Sequence, residues 1–528
     1  MGNNVVKSVL VAVLLIVLSF TVGVAAADDV KGATVLIAGV CALAVVLSVG
    51  EKAWLALLFM PYYSMINPIP ISGVDGATLN NCVAILVACY WCTLRVQGKV
   101  RFEWKSLPGL DIFFFLLVAL MIVAFYRRPV SVNVIEGLLG MDSEFIGGKA
   151  YMFCLISALG YIAYSVVPTP LEKMEKYVKP IIWMSVALGI LTVAITFVRR
   201  GSLVINVDGD GMSERARDTA YILFSWFIVL YVYGTKKITT ILTSARYLFL
   251  LLVGFLGTML SGFRSRIAIL VFMLIPISAV KRELMWFVCC AILGYAAIMV
   301  GSAAGVLTKL PFGVQRVLSV VPNVQIDANA RLSAEGSTEA RMITWEYALD
   351  ERTGAIKNYV WGDGYGMDKE QHRRLNYVDE GVTVKGLIRT SQWHSGPISM
   401  IQRLGYVGLI IVFFMMLYLM WFAYRLMVAY RHHSLFPIIV VIVPHLYGDF
   451  VSLFGVISDY EYIFARASLR IVVFKMFYCE GVKAGIIAPV LRRKSYIPMA
   501  VQERRNEELD LPEYPLPRKL KKLQNKQA

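Results

Sequence analysis

The chain has 528 residues, 58% of them hydrophobic and only 17% charged, with a formal net charge of +16 and a mean hydropathy of +0.64. That composition excludes a stack of water-soluble domains and points to an all-α, polytopic integral membrane protein. The positive excess does not call for nucleic acid, because much of it lies in short connections and in the tail, including Arg518-Lys519-Leu520-Lys521-Lys522, where anionic inner-leaflet lipid attracts it.

A span needs about twenty mostly apolar residues, since backbone amides in hydrocarbon must be satisfied within a helix, and about fourteen segments qualify. In order they are Val5 to Ala27, Ala33 to Gly50, Ala53 to Ile66, Leu79 to Leu94, Leu110 to Tyr126, Gly147 to Val167, Ile181 to Val198 and Thr219 to Tyr233. Then come Tyr247 to Ser261, Ile267 to Val280, Leu284 to Ala304, Tyr406 to Tyr424, Leu435 to Ile457 and Ile463 to Val482. The first ends in Ala25-Ala26-Ala27-Asp28, like a signal-peptidase site, but its single Lys7 and long apolar run fit an uncleaved anchor. The third carries Pro61, Pro68 and Pro70, which break or kink a helix.

This pattern divides the chain into N-terminal membrane helices (1–210), central helices (211–304), a large polar loop (305–395), C-terminal helices (396–484) and a basic, proline-bearing tail (485–528). Basic connections at Arg95 to Lys105, Lys173 to Lys179, Lys236 to Arg246, Lys281-Arg282 and Arg425 to Arg431 all fall on one side, which the positive-inside rule makes cytoplasmic. Both termini are then expected inside and the 305–395 loop outside, with outward exceptions at Arg127-Arg128, Arg199-Arg200, Arg215 and Arg217. The eight cysteines fall in or beside predicted helices, so no disulfide framework is implied, and Cys89-x-x-Cys92 reads as packing within an apolar helix. No metal or cofactor motif stands out; Asp208-Gly209-Asp210-Gly211 reads as a turn.

The outward polar residues carry what chemistry there is. Ser261-Gly262-Phe263-Arg264-Ser265-Arg266 places two guanidinium groups at the outer membrane edge. A single arginine there ordinarily snorkels to headgroups, but several converging ones match the oxygens of a phosphate. Thr338 to Leu349 reads as a helix capped by Thr338, with Arg341, Trp345 and Ala348 on one face, and Trp361-Gly362-Asp363-Gly364-Tyr365-Gly366 as a tight turn. His394 stands just ahead of the twelfth span; most lone histidines are structural, but one at a membrane edge is able to take a proton from a hydroxyl.

In their order, these pieces resemble the O-antigen ligase and O-antigen polymerase family of bacterial envelope proteins. The resemblance runs from Arg215 or Arg217 through Ser265-Arg266, Arg341 and Trp345, the Gly362-to-Gly366 turn and His394, to Leu404-Gly405-Tyr406-Val407-Gly408-Leu409. Where the family often has His-Asn, this chain has His394-Ser395. The resemblance implies a metal-independent, inverting glycosyltransferase without cofactor, at the periplasmic face of the inner membrane, in O-antigen or exopolysaccharide biosynthesis. Its donor would be an undecaprenyl-pyrophosphate-linked glycan, its acceptor a glycan or lipid A core, and its partners membrane lipids, a flippase and a chain-length regulator. His394 would be the general base, with Arg266 and Arg341 catalytic; Arg215, Arg217, Arg264, Arg266, Arg341 and Arg403 would hold the pyrophosphate. The extra spans lean toward a polymerase, and a protein-directed oligosaccharyltransferase of the same family is a third form. The competing expectation is a transporter or flippase of a lipid-linked or anionic solute, which rests on His445 and Asp449 in the thirteenth span and Arg466 and Arg470 in the fourteenth. Their plainer reading is an ion pair joining two helices.

Overall fold

The computed structural model describes residues 79–99, 103–107, 109–128, 145–146, 149–167, 171–201, 225–260, 262–365, 367–368, 393, 395–456 and 460–488. The first three expected spans, Arg215, Arg217, His394 and the tail beyond residue 488 lie outside the described residues.

Every span expected after the third coincides with a helix. These are α1 (Leu79–Val96), α2 (Leu110–Arg127), α3 (Lys149–Val166) and α4 (Leu171–Gly201); α5 (Ser225–Thr235); then α6 (Ile238–Thr243), α7 (Ala245–Leu260), α8 (Arg264–Lys281) and α9 (Leu284–Ala303). The segment expected to face outward follows with α10 (Phe312–Leu318) and α11 (Ala328–Leu349), and the chain continues through α12 (Gly396–Ala429), α13 (Phe436–Ile442), α14 (His445–Val451) and α15 (Tyr460–Lys483). The only strands among the described residues are a two-residue antiparallel pair, β1 (Phe145–Ile146) with β2 (Met367–Asp368).

Among the described residues, four helical stretches are long and apolar enough to cross a membrane: Leu110–Arg127, Leu284–Ala303, Gly396–Ala429 and Phe436–Gly455. They occupy different environments. In Phe436–Gly455, 67% of the residues are buried by protein, whereas none of the most apolar window of α9 is. Helix α9 is apolar all round, so lipid is the solvent that suits it, whereas α13 and α14 are largely enclosed by protein.

Three boundaries depart from expectation. Helix α4 begins at Leu171 and takes in the expected basic connection Lys173 to Lys179, because Leu-Glu-Lys-Met-Glu-Lys is a run of helix formers. The thirteenth span is broken at Pro444 and ends in a π-helical turn, Ser452–Val456. The twelfth starts at Gly396, with Pro397 in its first turn, and is interrupted at Gly405, whose φ is 70°.

The interruption at Gly405 docks the outer loop onto the bundle. Freed backbone groups of α12 pair with the Gly362 turn: Tyr406 N–H donates to Tyr359 O at 2.8 Å, Val407 N–H to Val360 O at 3.3 Å, and Gly364 N–H to Arg403 O at 3.1 Å. A Cβ on Gly405 would lie 2.1 Å from Val360 O, and one on Gly362, at φ +75°, 2.4 Å from Arg403 C. Only glycine permits this approach. Asp363 tightens the turn by accepting from Lys357 N at 2.8 Å and Asn358 N at 3.0 Å.

The opposite end of the bundle is held by charge. The Lys475 ammonium, fully buried on α15, donates to Asp111 Oδ1 on α2 at 2.7 Å, and to Ser165 Oγ at 2.9 Å and Tyr161 OH at 3.1 Å near the end of α3. Asp111 Oδ2 also accepts from Trp104 Nε1 and Leu107 N, each at 3.2 Å. Nearby, Lys105 donates to Val167 O, and burial pulls its pKa from 10.5 down to about 8.

Gly405→Ala is expected to unseat the loop, with a loss of about 3 kcal/mol or more from a strained φ and a backbone clash; thermal unfolding in detergent and faster proteolysis of the 305–395 segment would register it. The Lys105 shift gives a second expectation. Between pH 8 and 10.5 the unfolded chain holds a proton that the folded chain has released, so stability from this group rises with pH across that window. The midpoint of the wild type should therefore gain on that of Lys105→Met as pH is raised from 7.5 to 9.5, by differential scanning fluorimetry.

Candidate functional site

Residues two apart on a helix point to opposite sides, and that separates Arg264 from Arg266 at the start of α8. Arg264 turns toward the outer segment, where one guanidinium nitrogen donates to Ala334 O at 2.7 Å and to Thr338 Oγ1 at 2.9 Å. Arg266 turns into the bundle, with its guanidinium carbon 5.8 Å from the centre of the Trp226 ring. Helix α8 has no side-chain cap and no acidic residue in its first turn, so both arginines sit at the positive end of its dipole.

The outer segment is built to meet Arg264. Gln315 on α10 donates to Thr308 O at 2.9 Å and Leu310 O at 2.7 Å while accepting from Asp327 N at 2.8 Å, which sets where α11 begins. Asp327 caps α11 by accepting from Asn329 N at 2.8 Å. The helix thus starts well before Thr338, the expected cap; Thr338 lies inside it, bonds back to Ala334 O at 3.2 Å and serves as Arg264's acceptor.

Arg341 lies less than one turn beyond Thr338, half-buried, within electrostatic reach of Arg264 and of Arg316 on α10. Burial first, and then the charges of Arg264 and Arg316, lower its pKa to about 10. Three guanidinium groups thus converge where two helices of the outer segment meet the head of α8. One turn further along α11, Trp345 Nε1 donates to Trp393 O at 3.0 Å, and Trp393 Nε1 donates to Gln402 Oε1 on α12 at 2.8 Å. The arginine-bearing face of α11 is thereby fixed beside the segment that bears His394. Among the described residues there is no group of three or more histidine, cysteine or acidic side chains arranged to hold a metal.

No protein-family model and no curated protein matches this chain.

The other expected site residue, Arg403, goes elsewhere. Its guanidinium carbon stands 5.3 Å from the Tyr365 ring centre, in the Gly362 turn, and Tyr365 N–H donates to the Tyr151 hydroxyl of α3 at 3.2 Å. Arg127, an exception to the positive-inside pattern, stacks 5.7 Å from the Trp361 ring centre of the same turn. The arginines expected in one pocket therefore divide three ways: Arg264 and Arg341 together, Arg266 inward on Trp226, and Arg403 on the docking turn. Arg316 and Trp226 were not legible as site residues, since Arg316 belongs to no motif and Trp226 sits in an apolar run where an aromatic reads as core.

A cleft of about 450 Å³ opens beside Arg264, lined also by Glu335, Thr338, Glu339, Met342 and Glu346. Its carboxylates suit hydroxyl-bearing ligands, and Arg264 lines it.

Burial and the neighbouring charges of Arg264 and Arg316 disfavour the charged form of Arg341. Inorganic pyrophosphate is expected to raise the thermal midpoint of the wild type and to leave that of Arg341→Gln unmoved, by differential scanning fluorimetry.

Proposed function

We propose that the chain is a glycosyltransferase of the O-antigen ligase and polymerase type, moving or polymerising glycan from an undecaprenyl-pyrophosphate donor. In this reading the protein spans the bacterial inner membrane about fourteen times, with both termini cytoplasmic and the 305–395 loop in the periplasm. The observation that supports it most is the convergence of Arg264, Arg316 and Arg341, with α11 tied through Trp345 to the residue preceding His394.

The chemistry follows from charge. Two phosphates on the leaving group carry negative charge that grows as the bond to the anomeric carbon breaks, and a preformed set of guanidinium groups stabilises it. Arg215, Arg217 and Arg266 complete the donor site, and Arg403 holds the turn from behind. His394 takes the proton of the acceptor hydroxyl as its oxygen attacks the anomeric carbon opposite the pyrophosphate, so the configuration inverts. The acceptor, a glycan or lipid A core, enters over the cleft of Glu335, Glu339 and Glu346. Polymerisation is the favoured form, since the chain has more spans than a ligase needs.

The transporter reading rests on the charges of the thirteenth and fourteenth spans. Asp449 and Arg470 form an ion pair with side chains 6% and 8% exposed, a satisfied arrangement that suits a tie between helices better than a site that must charge and discharge.

The test is a metal-free assay of purified protein with an undecaprenyl-pyrophosphate-linked glycan. Wild type should give a product ladder, with rates falling about a hundredfold or more in Arg341→Ala and His394→Ala. A single addition to lipid A core would make the protein a ligase; full activity in both variants would overturn the assignment.

A further inference from the structure

Arg266 opens a column of side chains that runs inward from the membrane edge. Beneath its guanidinium lies Trp226, which stacks on His445 with centroids 6.0 Å apart and planes inclined by 29°. Phe227 closes on the imidazole at 5.7 Å, edge to face. From the far side Arg470 donates to the His445 carbonyl at 3.2 Å, its own charge matched by Asp449. Trp226 and His445 are 4% and 2% exposed.

Trp226 Nε1 and His445 Nε2 are buried and meet no hydrogen-bond partner among the described residues. The contrast within one protein is sharp: Lys475 on α15, equally buried, makes three hydrogen bonds. A buried polar atom is rarely left without a partner, and two on neighbouring rings point to a shared one. An indole N–H can only donate, so that partner is an acceptor. The positive charge of Arg266 at the head of the column, at an uncapped helix N-terminus, selects a negatively charged one.

We propose that Arg266, Trp226 and His445 form an inner niche for one oxygen of a lipid-borne phosphate. Trp226 Nε1 and the Nε2–H tautomer of His445 donate to that oxygen, and Arg266 carries the opposing charge. The Asp449–Arg470 pair holds the His445 backbone in place, which gives those two residues a positioning role. The inference rests on the donor reading in one respect: the phosphate is that of the polyprenyl donor and not of a bilayer lipid.

The test measures binding of radiolabelled undecaprenyl pyrophosphate to protein in nanodiscs of zwitterionic lipid. Trp226→Phe keeps a ring for stacking and removes only the N–H; it should weaken binding about tenfold with an unchanged thermal midpoint. His445→Leu should do the same, and His445→Gln, which retains a donor, should recover most of the affinity. These two variants carry the test if Trp226→Phe does not fold. Binding unchanged in Trp226→Phe and His445→Leu but lost in Arg341→Gln would overturn the niche and leave the donor reading standing. No binding to the wild type would overturn both. Displacement of the label by phosphatidylglycerol, with equal sensitivity to Trp226→Phe, would make this a bilayer headgroup site and overturn the donor assignment.

Discussion

The seating of the 305–395 segment on the helix bundle depends on one break in a helix. At Gly405 the backbone of α12 leaves helical geometry, and the carbonyls and amides released there are taken up by residues 359–364. A continuous helix would offer the loop only side chains. The break offers backbone groups whose directions are set by the bundle, so the loop inherits the rigidity of the membrane helices. Glycine at both 362 and 405 is a geometric necessity, since a Cβ at either would meet backbone of the other segment. From this anchor the Trp393 and Trp345 hydrogen bonds carry the same fixed frame to α11 and its arginine.

The two ends of the bundle treat charge differently. At the Lys475 end a buried ammonium meets a carboxylate and two hydroxyls, and removing a partner would leave an uncompensated charge costing about 3–5 kcal/mol. Such a cluster joins α2, α3 and α15 and needs nothing further. At the Arg264 end three cations stand together, and the pKa of Arg341 is depressed by burial and by its like-charged neighbours. Arg264 also ties α8 to α11 there, through Ala334 O and Thr338 Oγ1. Next to the satisfied Asp449–Arg470 pair, Trp226 Nε1 and His445 Nε2 stand without a partner among the described residues.

Hydropathy located the helices well, because a run of apolar residues is the same signal whether lipid or protein covers it. That equivalence also hid the layering: α9 and the α13–α14 pair read alike as sequence, yet no residue in the most apolar window of the one is buried and the other is largely enclosed. The glycine and tryptophan motifs of the second half were legible as turns, and their partners were not, since Gly362 and Gly405 meet only through the fold. Thr338 illustrates the limit for local rules. It has the residue type and spacing of a helix cap, but Asp327 begins the helix earlier and Thr338 becomes an acceptor for Arg264.

The pairing of Arg264 with Arg266 shows how little sequence is needed to serve two sites. Two positions on a helix are separated by rather more than half a turn, so adjacent arginines of a short motif cannot share a pocket unless the ligand wraps the helix end. Here one faces the aqueous loop and the other the apolar interior, astride an uncapped helix N-terminus. Under the proposed function, one phosphate of the donor would meet Arg264 and the other would reach inward toward Arg266 over Trp226. Under that same proposal, the depth of the Arg266 column would set how far a lipid-borne headgroup sinks below the membrane edge, and with it the height at which the anomeric carbon would be presented to the loop.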